Sequence, residues 1–105
     1  MTKANYAVRI ALTAHFLLVP ASAATAQDYQ ARSWAASCAA CHGTNGRSAG
    51  EVPSIAGRSK DDLLTILGEF KQGKRKTATV MHQYVGGYSD AELERIAEYF
   101  SRQPR

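Results

Sequence analysis

The chain has 105 residues, with 13 Lys and Arg against 9 Asp and Glu, a formal charge of +4, and 2 cysteines. That length holds one small domain, and so mild a basic balance argues against a nucleic-acid partner. There is no internal repeat and no low-complexity stretch.

Residues 1–26 read as a secretory signal peptide. Lys3 and Arg9 form a positive start, Ile10 to Val19 a short apolar run, and Ala24-Thr25-Ala26 an A-x-A cleavage site. Cleavage after Ala23 is the near alternative. An uncleaved anchor is disfavoured because the run falls short of the roughly 20 apolar residues that span a bilayer. The remaining segment, 27–105, is one domain with no further stretch apolar enough to cross a membrane. Lys3 and Arg9 leave with the leader, so 11 basic and 9 acidic residues remain, or +2. Export places the domain in the periplasm.

The first predicted helix runs from about Asp28 to Cys41. Tyr29, Ala31, Trp34, Ala35 and Ser37 to Ala40 suit it, and its alanines permit close packing against another helix or a ligand. Trp34 is expected to pack in the core. The helix leads into Cys38-Ala39-Ala40-Cys41-His42, the C-x-x-C-H form of a covalent c-type haem site. Two thiols one turn apart can add to two haem vinyl groups, and the next residue sets an imidazole under the iron. A bare C-x-x-C also fits a dithiol redox pair or half of a zinc site. No βαβ pattern supports the first. The second needs four ligands, and beyond His42 the chain offers only His15, inside the leader, and His82. If both cysteines carry haem, none is left for a disulfide. A buried haem would also supply core to a domain of marginal size.

Gly43 to Gly57 reads as a loop, punctuated by Gly43, Gly46, Gly50, Pro53 and Gly57. So long a loop in a small domain usually wraps a ligand or carries a function. The second helix runs from about Lys60 to Gln72. Ser59 and Asp62 give the start signal, Leu63, Leu64, Ile66, Leu67 and Phe70 the buried stripe, and Gly73 the stop. Lys71, Lys74, Arg75 and Lys76 then crowd four cations into six residues. They suit a docking rim for an acidic partner, and equally a solvated helix end.

Met81 is the only methionine after the leader. It lies in a stretch read as non-helical, among Thr79, His82, Gln83 and Gly86-Gly87. Its soft thioether makes it the candidate for the second axial ligand. His82 is the adjacent rival, and an open sixth position would instead permit ligand binding. The third helix runs from about Asp90 to Gln103. Ser89 and Glu92 form a capping box, and Leu93, Ile96, Ala97 and Phe100 fall on one apolar face. Pro104 closes it.

In this order of elements the chain resembles class I cytochromes c, an all-α fold of three to four short helices wrapped around one covalent haem. The resemblance implies that Pro53 offers its carbonyl to the Nδ1–H of His42, and that the first and last helices cross. A closer resemblance rests on Cys38 to Gly46, Pro53 to Ala56, Phe70 to Gly73, Met81, Gly87 to Ser89 and Ala97 to Phe100. These segments look like the cytochrome subunit of flavocytochrome c sulfide dehydrogenases. Soluble carriers of the c5 and c-553 types share much of the pattern. The single C-x-x-C-H allows one haem. The resemblance implies an electron-transfer subunit with no substrate chemistry of its own. It would take electrons from an FAD-containing flavoprotein subunit that oxidises sulfide, and pass them to a soluble redox acceptor. A haem sensor with an open sixth site is the alternative of another class.

Overall fold

A computed structural model describes residues 28–105; the expected signal peptide lies outside the described residues. Four helices follow in order: α1 Tyr29–His42, α2 Lys60–Lys71, α3 Met81–Gly86 and α4 Asp90–Ser101, with one 3-10 turn at Thr44–Gly46. No residue among those described lies in a strand.

Each long helix begins on a side-chain cap. Asp28 accepts the Ala31 N–H, Ser59 the Asp62 N–H, and Ser89 the Glu92 N–H. At α4 the capping box is complete, with Glu92 Oε2 accepting the Ser89 N–H at 2.7 Å. Such caps satisfy backbone donors that a helix start leaves without partners, and each is worth about 1 kcal/mol.

The core sits where α4 meets α1 and α2. Leu93, Ile96, Ala97 and Phe100 line the buried face of α4, and Ala97 is fully enclosed. Ala31 and Ala35 are the buried residues of α1. Methyl-sized side chains at this crossing let the two backbones come close, and α1 and α4 do pack together. From α2 come Leu63 and Phe70, and from α3 Val85. Trp34 is half-buried against this cluster, with the Arg95 guanidinium 4.7 Å over its ring.

Ion pairs fasten the outer surfaces. Lys60 of α2 reaches Glu94 and Glu98 of α4, and Arg95 of α4 holds Asp28 ahead of α1. The segment after α1 is tied to the far end of the chain: Arg47 Nε donates to the Pro104 carbonyl at 2.8 Å, and the Gly57 N–H donates to that of Phe100 at 2.9 Å.

One expectation is corrected. The stretch holding Met81 is helical, because Met81 opens α3. No side chain caps α3, and six residues cannot sustain a helix alone. The anchor is tertiary: Val85 is buried in the core and α3 packs on α2.

Candidate haem site

α1 ends in the cysteine–histidine motif. Cys38 and Cys41 sit one turn apart, and no disulfide joins them. Cys38 is half-buried and Cys41 exposed. Burial pushes the Cys38 thiol above its ordinary range, because a thiolate loses hydration there.

His42 is the last residue of α1, and Gly43 ends the helix at φ +85°. A Cβ at Gly43 would collide with the Arg47 carbonyl, so glycine alone fits this turn. The turn brings the following segment back under the helix end. There His42 Nδ1 lies 2.6 Å from the carbonyl oxygen of Pro53. A carbonyl only accepts, so Nδ1 carries the proton and the neutral ring keeps Nε2 as its lone-pair donor.

The two sulfurs and His42 open on one cleft. Leu67 of α2, Val80 and Met81 at the start of α3, Val85, and Leu93 and Ile96 of α4 line it. Met81 thus lines the same cleft as His42. His82, the rival ligand, is exposed and is not among the lining residues. Val80 and Tyr84, at the cleft, are large exposed apolar side chains.

The lining is apolar apart from the hydroxyls of Ser37, Tyr84 and Tyr88. A broad apolar macrocycle with two thiol attachment points, one imidazole and one thioether fits this donor set and lining. Among the described residues, no three His, Cys, Asp or Glu side chains gather where they could hold a metal ion.

Two of the four cations near α2 are engaged at home. Lys71 Nζ donates to Asp90 at 2.7 Å and to the Tyr88 carbonyl at 2.8 Å. Arg75 pairs with Glu69 and stands over the Phe70 ring. Lys74 and Lys76 are exposed. The reading of this segment as a four-cation rim therefore shrinks to two. Sequence reasoning passed over Tyr84 and the polar links of Tyr88. Tyr84 sits next to Val85 on a helix too short to show a periodic face.

An all-α domain that presents two thiols and an imidazole to one apolar cleft is a c-type haem protein. Residues 29–103 match the family model for cytochrome c, and the chain belongs to that family. The described domain carries covalent haem c. The chain is 50% identical over 64 residues to the "cytochrome subunit of sulfide dehydrogenase" of Chlorobaculum tepidum, covering 61% of this chain and 57% of that protein. It is 41% identical over 70 residues to cytochrome c4 of Pseudomonas aeruginosa, covering 66% of this chain and 34% of that one. Cytochrome c-554(548) of Halomonas halodenitrificans is 35% identical over 69 residues, covering 63% of this chain and 83% of the relative. The chain thus spans about half, and about a third, of the lengths of the first two relatives.

Proposed function

We propose that this chain is a periplasmic cytochrome subunit that accepts electrons from an FAD-containing sulfide-oxidising flavoprotein and passes them to a soluble redox acceptor. The observation that carries the electron-transfer site is the single apolar cleft shared by Cys38, Cys41, His42 and Met81. The partner rests on the likeness to the sulfide dehydrogenase subunit.

In this reading Cys38 and Cys41 would hold haem through thioether bonds, and His42 and Met81 would ligate its iron. Bound haem c supplies a one-electron Fe(III)/Fe(II) couple. The Pro53 carbonyl holds the His42 ring in one orientation and strengthens it as a donor. The Met81 thioether is soft and favours the reduced metal. Leu67, Val85, Leu93 and Ile96 keep water from the wall of the site. The chain itself makes and breaks no substrate bond.

The test is purification of the tagged haem-loaded protein from its own cells. A partner with bound flavin should co-elute, and sulfide should reduce the haem only in its presence. A chain that elutes alone and stays oxidised when sulfide and its neighbouring proteins are restored would overturn the subunit reading.

A further inference from the structure

We infer that Tyr88 is a positioning residue that keeps Met81 seated at the iron. The inference rests on Met81 being the axial ligand. α3 has no cap of its own, so the placement of Met81 depends on the burial of Val85 and on what holds the ends of this segment. From Val80 to Tyr88 the backbone is one hydrogen-bonded run. Gln83 and Tyr84 donate to the Val80 carbonyl, Gly87 to Tyr84, and Tyr88 to Val85. A shift at Tyr88 is therefore passed to Met81 rather than absorbed between them.

Tyr88 is held from two directions. Its phenol oxygen lies 2.9 Å from Ser37 Oγ, on the turn of α1 just before Cys38. Its carbonyl accepts from Lys71 Nζ of α2 at 2.8 Å. Ser37 Oγ donates to the Trp34 carbonyl at 2.9 Å, and the Tyr88 hydroxyl reaches the same carbonyl at 3.5 Å. Both hydroxyls thus find partners within the protein. The pair links the helix that carries His42 to the turn that follows Met81. Both residues also line the cleft, where scarce water makes a lost partner costly.

The experiment uses the oxidised holoprotein and free imidazole, which competes with a methionine for the sixth position. Wild type should show the weak near-infrared methionine-to-ferric-iron absorption, and imidazole should abolish it. Tyr88→Phe should raise the apparent imidazole affinity roughly five- to tenfold, the worth of one net hydrogen bond. Ser37→Ala should do the same, and the double variant no more than either single one. Tyr99→Phe is the control. It also removes a tyrosine hydroxyl bond, to Asn45 at 2.9 Å, but on residues outside the cleft, and it should leave imidazole affinity unchanged. Wild-type affinity in Tyr88→Phe, or an equal rise in Tyr99→Phe, would overturn the positioning role. Wild-type protein lacking the near-infrared absorption would instead overturn the Met81 assignment, before any variant is compared.

Discussion

Arg95 grips both carboxylate oxygens of Asp28, with Nε and Nη2 at 2.7 and 2.6 Å. The cap of α1 is thereby held by α4. The Arg95 hydrogen bond, followed by the Ala31 N–H, lowers the Asp28 carboxyl to about 2 from the ordinary 3.8. A carboxyl whose folded value is depressed stabilises the fold above its unfolded value, and loses that contribution as pH falls through the folded one. Asp28→Asn should therefore melt below wild type at neutral pH. The gap should close between about pH 4 and pH 2. Thermal unfolding followed by circular dichroism at several pH values checks this, and a constant gap down to pH 2 would refute it.

Replacing Met81 tests the sixth ligand directly. Met81→Ala should abolish the near-infrared methionine absorption, lower the reduction potential and open the iron to imidazole or cyanide. His82→Ala should leave the absorption in place, because His82 is exposed and does not line the cleft. Absorption spectra and a redox titration of the two variants separate these ligands.

Gly46 stands at φ +82°, and a Cβ there would meet Phe100 at 2.7 Å and Ile55 at 2.8 Å. Its carbonyl also accepts the Ile55 and Ala56 N–H groups and the Ser54 hydroxyl. Gly46→Ala should cost roughly 2–4 kcal/mol, from left-handed backbone strain and overpacking together. Denaturant unfolding of the holoprotein measures the loss. A loss below about 1 kcal/mol would mean the loop yields more readily than this packing implies.

Lys74 and Lys76 are the cations of the α2 end that the fold leaves to solvent. Lys74→Glu/Lys76→Glu should slow electron transfer with an acidic partner several-fold at low salt. The difference should fade toward 1 M salt, where the screening length is about 3 Å. Stopped-flow rates across ionic strengths decide it, and rates equal to wild type at all salts would remove these lysines from the docking face.

The parts that the sequence made legible are those with local signals. Ser89 and Glu92 announce α4 three residues apart, and Leu93, Ile96, Ala97 and Phe100 turn out to be its buried face. Cys38, Cys41 and His42 fall within one short C-x-x-C-H segment, so their convergence follows from one helical turn. α3 was missed because Val80 is no capping residue and Gly86-Gly87 reads as loop. Its helix exists through the burial of Val85, which no six-residue window reveals. The links from Ser37 and Lys71 to Tyr88 span 51 and 17 positions. They obey no periodicity, and only the tertiary fold creates them.

The contact between α1 and α4 also sets an order of events in the making of the protein. Ala35 is buried in one cluster with Ile96, Ala97 and Phe100 of α4, so α1 gains much of its core only when α4 packs on it. Within the fold Cys38 is half-buried, and that burial makes its thiolate harder to form. Thiol chemistry at Cys38 is therefore easier before the helices pack than after.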